Sequence, residues 1–178
     1  IESDFIPGGV IFDTDTNQNL GKQKTWGLNL SAQGKFRNVL GGRLSLWAHY
    51  DWLDGELTDP LEETSIGVPF ASNHKLRTGF KWSRRGLTLS PRLYLFGSGV
   101  GPVTDPDDDN FGVKVPAYRL VTVFASWKAA QTPVEVYLRI ENAFDERYNN
   151  IGQGGSSTFL LSPQDGRWLQ FGLRFQYQ

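Results

Sequence analysis

The sequence predicts an all-β fold, an antiparallel up-and-down transmembrane β-barrel to which this chain contributes about eight strands. Three observations carry that reading. Tight and long connections alternate along the chain, the strand-like runs alternate apolar and polar residues with period two, and acidic residues gather in the long connections while basic ones stay in the strands. Outer-membrane barrels have this layout, with short turns at one end and long loops at the other, and a soluble antiparallel barrel has no reason to adopt it.

A weak run opens the chain at 1–6, and stronger ones follow near 24–36, 43–53, 75–82, 87–96, 117–127, 134–142 and 167–177. In the first strong run Trp26, Leu28, Leu30, Ala32, Gly34 and Phe36 face one way and Asn29, Ser31, Gln33 and Lys35 the other. In the next, Leu44, Leu46, Ala48, Tyr50 and Trp52 alternate with Ser45, Trp47, His49 and Asp51. Leu76, Phe80 and Trp82 alternate with Lys75, Arg77 and Lys81, and Leu87, Leu89, Leu93 and Leu95 with Thr88, Ser90, Arg92 and Tyr94. Val121, Val123, Ala125 and Trp127 form the apolar face of the following run. Val134, Val136, Leu138 and Ile140 alternate with Glu135, Tyr137, Arg139 and Glu141, and Leu169, Phe171, Leu173 and Phe175 with Gln170, Gly172 and Arg174. No charge falls mid-way along any apolar face, where a lipid-facing Arg or Lys would cost about 2–4 kcal/mol.

The tight connections are Arg37–Gly42, Ser83–Gly86 and Lys128–Pro133, and the long ones are Pro7–Lys22, Leu53–His74, Gly97–Pro116 and Ala143–Gly166. Phe36, Trp82 and Trp127 precede the tight turns, while Trp26, Tyr50, Trp52 and Tyr118 lie beside the long loops. This placement predicts two interfacial aromatic girdles. The four long loops hold 14 of the 19 acidic residues and only Lys22, Lys114 and Arg147 among the 18 basic ones. On the inward strand positions Lys35, Arg43, Lys75, Arg77, Lys81, Arg92, Arg139 and Arg174 stand against Asp51, Glu135 and Glu141. A net-basic wall in a low-dielectric enclosure needs anionic partners: further barrel strands, an internal plug or an anionic ligand.

Composition excludes several classes. The chain has no Cys, which removes disulfide frameworks and thiolate metal sites. No apolar run approaches the roughly 18 residues of a membrane helix. It contains no Met, shows no signal peptide and begins in mid-pattern at Ile1, so it is expected to be a fragment or a processed product. His49 and His74 have no neighbouring His, and no nucleophile-elbow pattern occurs, so neither a transition-metal centre nor catalysis is expected, and no cofactor. Basic residues spread singly along inner strand positions do not make a nucleic-acid surface. The run Asp105, Asp107, Asp108 and Asp109 is a candidate cation-binding loop of hard oxygen donors, although it lacks the Gly and distal Glu of an EF-hand, and a solvated loop tip is the favoured reading. Lys24, Arg119 and Arg167 fall on the outward parity at the long-loop ends of their strands, where they are candidate contacts to lipopolysaccharide phosphates or, alternatively, partners of loop carboxylates.

The stretch Ile140-Glu141-Asn142-Ala143-Phe144-Asp145-Glu146-Arg147-Tyr148 resembles the EN-x-F-D-x-x-Y signature near the end of TonB-dependent outer-membrane receptors. After a further loop, Gly166-Arg167-Trp168-Leu169-Gln170-Phe171-Gly172-Leu173-Arg174-Phe175 resembles the family's final strand. Upstream, Asn19-Leu20-Gly21-Lys22 with Trp26-Gly27-Leu28-Asn29-Leu30 resembles its N-x-G-K…G-x-E-L segment, with Asn29 where an acidic residue is common. Pro69-Phe70-Ala71-Ser72-Asn73-His74-Lys75-Leu76 resembles a P-x-x-P-x-H-K strand start without its second Pro, and Val115-Pro116-Ala117-Tyr118 resembles another. The resemblance implies a 22-stranded barrel plugged by an N-terminal domain, driven by TonB and taking up siderophores, vitamins, metal complexes or saccharides. Residues 1–178 are then the C-terminal segment of the barrel, without the plug and without the TonB-contacting part. Implied partners are outer-membrane lipid and lipopolysaccharide, the barrel assembly machinery, the remaining strands, the plug, and TonB through the missing N-terminal part. The family's terminal aromatic is displaced here, since Tyr177 is penultimate and Gln178 last. Asn142, Phe144, Asp145 and Tyr148 are expected to be structural: short polar side chains where a strand becomes a loop bond nearby backbone, and the two rings pack there.

Two other functions fit the periodicity. One is an autonomous eight-stranded outer-membrane protein acting as anchor, adhesin or narrow pore, although eight inward bases against three acids leave it unbalanced. The other is a soluble, lipocalin-like binding barrel with its apolar face turned inward.

Overall fold

Period two in the sequence becomes one continuous antiparallel ladder. The structure, a computed structural model, describes residues 3–6, 10–13, 22–58, 65–68, 71–101, 112–151 and 161–175. The strands are β1 (Ser3–Ile6), β2 (Val10–Asp13), β3 (Lys22–Val39), β4 (Gly42–Thr58), β5 (Ser65–Gly67), β6 (His74–Arg84), β7 (Leu87–Phe96), β8 (Gly99–Val100), β9 (Lys114–Val115), β10 (Tyr118–Lys128), β11 (Val134–Glu141), β12 (Asn149–Ile151), β13 (Leu161–Pro163) and β14 (Trp168–Phe175). The main sheet runs β3-β4-β6-β7-β10-β11-β14, each strand antiparallel to its neighbours, with β5 on the far end of β4 as the eighth member. The chain thus passes up and down in sequence order, as the alternating connections predict.

The eighth strand is not the opening run. β1 pairs with β2 as a separate hairpin and takes no place in the main sheet. The sheet is open, with β3 and β14 at its two edges. An autonomous eight-stranded barrel would need the opening run to close against the last strand, and the described residues contain no such pairing.

The tight turns follow from their residues. Arg85 and Gly86 alone join β6 to β7, with φ of 47° and 85°. Positive φ at both central positions is the mirror-image turn that matches strand twist, and glycine adopts it without steric cost. Leu40 and Gly41 join β3 to β4 with φ of 51° and 70°. Trp82 donates its indole N–H to Val39 O at 2.9 Å, and Arg84 donates to Leu40 O at 3.1 Å, so side chains from β6 satisfy the carbonyls of this turn.

Register carries the apolar face across all seven through-strands. One row reads Ala32, Ala48, Thr78, Leu93, Val121, and another Leu30, Tyr50, Leu76, Leu95. Further along, Ala125, Leu138 and Phe171 pair in turn, as do Val123, Ile140 and Leu169. Pro91 sits within β7, where its missing N–H interrupts the ladder to β6 between Gly79 and Trp82 but leaves the pairing with Val123 intact. Thr78, the one hydroxyl in these rows besides the Tyr50 phenol, donates to Trp47 O at 2.8 Å.

This apolar face is not folded into a core. Val115 is the single buried apolar residue among those described, while Phe171 is 74 % and Leu30 54 % exposed. A lipocalin-like barrel would enclose that face, and here the sheet is open and much of the face is exposed.

Two strands exceed the predicted limits. β3 has 18 residues and β4 has 17, against 8 to 11 in β6, β7, β10, β11 and β14. At about 3.3 Å per residue the long hairpin reaches roughly 60 Å, more than twice the ~25 Å apolar band of a membrane barrel.

Candidate functional site

Two places on the molecule concentrate polar chemistry: the turn between β11 and β14, and the polar face of the sheet. The first is built around Asn142. This residue follows β11 with φ of 47° and is 7 % exposed. Its amide N–H donates to Glu146 O at 2.8 Å and to Asp165 O at 3.4 Å, while its Oδ1 accepts from the Glu146 N–H at 2.9 Å. Asp145, with φ of 57°, donates its N–H to Asn142 O at 2.9 Å, and its Oδ1 accepts from the Arg167 N–H at 2.7 Å. A Cβ at Gly166 would lie 2.5 Å from Asp145 Oδ1, so the glycine makes room for that carboxylate. Short polar side chains capable of left-handed φ are what such a turn needs.

Tyr148 completes this corner. Its ring stacks on Tyr118 with centroids 4.5 Å apart, and Tyr118 stacks on Phe96 at 4.6 Å. Burial, with Glu141 and Asp165 nearby, raises the Tyr148 hydroxyl pKa above its ordinary value. Phe144, by contrast, is 70 % exposed. Tyr118 does not belong to an aromatic girdle. It pairs with Phe96, which pairs with Lys75, so register puts it on the polar face, opposite to Trp26, Tyr50 and Trp52. The three-ring stack is absent from the sequence-based expectations, yet strand parity alone puts Tyr118 and Phe96 side by side.

On the polar face each of the three acids expected there has a base. Asp51 accepts from Arg77 at 2.8 Å, Glu135 from Arg174 at 3.1 Å, and Glu141 pairs with Arg139. The Arg174 guanidinium also lies 5.8 Å from the centre of the Tyr137 ring. Tyr137 faces Gly172 in register, and Trp47 faces Gly79. A Cβ on Gly172 would collide with the Tyr137 ring, and one on Gly79 would meet the Pro91 carbonyl and then the Trp47 ring at 3.0 Å, so each ring lies over the space its glycine leaves. Reading aromatic residues against glycines one strand away would find both pairs.

Three concavities stand out among the described residues. One of about 460 Å³ opens on the polar face beside the β11–β14 corner, with Arg92, Tyr94, Arg139, Glu141, Tyr148 and Trp168 in its wall. A second, about 610 Å³, lies at the long-loop end and includes Tyr50, His74, Arg119 and Glu146. The third, about 600 Å³, follows the small residues Ala32, Gly34, Ala48 and Thr78.

Of the candidate lipid contacts, Lys24 lies 3.9 Å from Glu56 across the hairpin, Arg119 borders the second recess, and the Arg167 backbone is held by Asp145. The candidate cation loop Asp105, Asp107, Asp108 and Asp109 lies outside the described residues. Among the described residues no group of three His, Asp or Glu converges as a metal site. Both histidines have hydrogen-bond partners: His49 Nδ1 lies 2.9 Å from Ser31 Oγ, and His74 Nδ1 2.8 Å from Tyr50 OH.

Residues 1–143 match the family described as TonB dependent receptor-like, beta-barrel. The chain belongs to that family. Its members are outer-membrane receptors and transporters rather than enzymes. Among solved structures the chain is similar to the FrpB iron transporter from Neisseria meningitidis (F3-3 variant), with a TM-score of 0.62 and 19 % identity over 88 % of this chain. At that identity the likeness concerns the fold. This chain spans 24 % of the length of that structure. No curated protein matches the sequence.

Proposed function

We propose that this chain is a C-terminal barrel segment of a TonB-dependent outer-membrane receptor that takes up an iron complex, with a vitamin or saccharide as alternative cargo. The observation that carries the reading is the open sheet of seven through-strands with one continuous, largely apolar face. Lipid is the medium that matches such a face, and two open edges call for further strands, because unpaired backbone in hydrocarbon costs several kcal/mol per group. The choice of iron as cargo follows the structural neighbour, an iron transporter. The plug and the TonB-contacting segment belong to the rest of the receptor, and the barrel assembly machinery inserts it.

In this arrangement the Asn142, Phe144, Asp145 and Tyr148 corner is structural, fixing the path from β11 to β14. The tight turns face the periplasm and the acidic loops the medium. The exposed Phe144 ring, together with Arg119 and Arg167, meets the outer-leaflet level, where lipopolysaccharide phosphates suit guanidinium groups. Lys24 already has Glu56 at hand, so its contribution there is the smallest.

Uptake by cells with and without the receptor tests the function directly. Accumulation of a labelled ferric siderophore should require both the receptor and TonB, and uptake that persists without TonB overturns the proposal. Labelling of single cysteines in intact cells tests the orientation. A cysteine at Arg147 should react with an impermeant reagent and one at Gln131 should not, and the reverse pattern inverts the barrel.

A further inference from the structure

At the tight-turn end of the sheet, the apolar face closes with a charge. The outward row beside the turns reads Val136, Trp127, Leu87, Arg84 in register. The row before it, Phe36, Leu44, Trp82, Leu89 and Ala125, is wholly apolar. Arg84 is therefore a base on the lipid-facing parity, level with Trp127 and one row beyond Trp82.

Its side chain reaches over the neighbouring turn. Trp82 and Arg84 share the outward parity, and they donate to Val39 O at 2.9 Å and to Leu40 O at 3.1 Å. The Arg84 Cζ lies 3.1 Å from where a Cβ on Gly41 would be. Two outward side chains thus hold the β3–β4 turn toward the lipid side of the sheet. Leu40 stands in that turn with φ of 51° and is 80 % exposed. Left-handed φ is costly for a leucine and cheap for glycine or asparagine, the residues such turns prefer. A leucine kept there, bare and at a steric cost, suits an apolar neighbour.

Charge narrows down that neighbour. Arg85, exposed at the tip of the adjacent turn, follows Arg84 directly. Neither arginine makes an ion pair with a described residue. Around the three tight turns, over 35–45, 81–89 and 126–136, the sequence has one acid, Glu135, and Arg174 holds it. Guanidinium groups grip phosphate oxygens through paired N–H donors, and bases at a membrane surface gather anionic lipid. A phosphate with an apolar body attached satisfies both the arginines and the leucine.

We infer that Leu40, Arg84 and Arg85 form a site for an anionic glycerophospholipid of the leaflet at the tight-turn end. Its phosphodiester lies between the two guanidinium groups, and Leu40 meets the glycerol and the first acyl carbons. The inference rests on the barrel reading above, because only a membrane-spanning sheet brings this rim to the headgroups. It concerns the opposite end of the strands from Arg119 and Arg167.

The test is fluorescence of the full receptor in phosphatidylcholine vesicles, with an environment-sensitive thiol dye at Leu40→Cys. The present sequence has no cysteine of its own, and peptide mass confirms the labelled position. The vesicles receive increasing brominated phosphatidylglycerol or brominated phosphatidylcholine, whose bromines quench a dye they touch. Half-maximal quenching should need severalfold less of the anionic lipid. Arg84→Gln with Arg85→Gln should bring the two lipids level, while Arg84→Lys keeps most of the preference. In about 1 M salt, where the screening length is about 3 Å, the preference should shrink severalfold. That last reading uses the native arginines, so it decides the matter even where a variant does not fold. A dye at Gln131→Cys, in the β10–β11 turn that carries no arginine, is the control and should stay open to aqueous iodide. Equal quenching by the two lipids, or a dye at position 40 as open to iodide as the control, overturns the site. Failure of the barrel reading looks different, as a receptor that inserts into neither vesicle and lacks the heat-modifiable mobility of a folded barrel.

Discussion

The two faces of this sheet share every backbone hydrogen bond and differ in almost everything else. On the apolar face, residues find like partners in row after row, and the small residues Ala32 and Ala48 pair with each other. On the polar face, space and charge are settled pair by pair. Trp47 covers Gly79, Tyr137 covers Gly172, Arg77 meets Asp51 and Arg174 meets Glu135. A fluid solvent tolerates any shape but no charge, whereas an enclosed interior tolerates charge but requires a partner for each one. Polar substitutions should therefore be severe on the first face, and steric or pairing substitutions should matter on the second.

The sharpest test of that contrast sets Leu46→Arg and Leu138→Arg against Ser45→Arg. The first two should cost about 2–4 kcal/mol near the bilayer midplane and lose the heat-modifiable band, while the third inserts normally. Equal tolerance at positions 45 and 46 would merge the two faces. Smaller is the effect of Asn142→Ala, which strips three hydrogen bonds from a buried turn and should cost about 1–3 kcal/mol in urea unfolding from vesicles. Asn142→Asp keeps the acceptor but sets a carboxylate oxygen against the Glu146 and Asp165 carbonyls, so it should lose at least as much. Gly172→Ala should cost roughly 1–3 kcal/mol by driving a methyl group into the Tyr137 ring, and Tyr137→Leu in the same chain should recover most of it. A Gly34→Ala change on the lipid side should be close to neutral, because only the Phe36 ring, free to rotate away into lipid, lies over that position. Least of all, Asp51→Asn should cost about 0–1 kcal/mol, since its pair with Arg77 is half-exposed.

The through-strands and their faces are legible in the sequence because one side of each meets an apolar medium. Period two is the imprint of that boundary, and it assigns Leu28, Leu46, Leu93 and Leu138 correctly. Where the boundary is absent the signal disappears. Lys22 and Gln23 extend β3, and Asp54–Thr58 extend β4, beyond the runs at 24–36 and 43–53, and their mostly polar residues carry no period-two pattern that announces a strand. β2, inside the long connection Pro7–Lys22, escapes for another reason: Val10, Ile11 and Phe12 are apolar in succession and show no alternation. Tyr118 departs from expectation for a different reason. Its nearness to a long loop suggests a girdle, although its parity with Val121 and Val123 already puts it on the other face. The corner around Asn142 is legible as a motif, and its hydrogen bonds are not, because Glu146 and Asp165 approach it only after the chain has turned twice.

The unequal strand lengths bear on hydrophobic mismatch. A bilayer that thickens around β3 and β4 meets more of the same hydrogen-bonded ladder between these two strands. Around β11 and β14, each 8 residues long, the same thickening brings lipid against the Asn142 turn. Adjustment to membrane thickness is thus confined to one flank of the sheet, and this segment should tilt toward its long hairpin rather than stretch evenly when placed in a thicker bilayer.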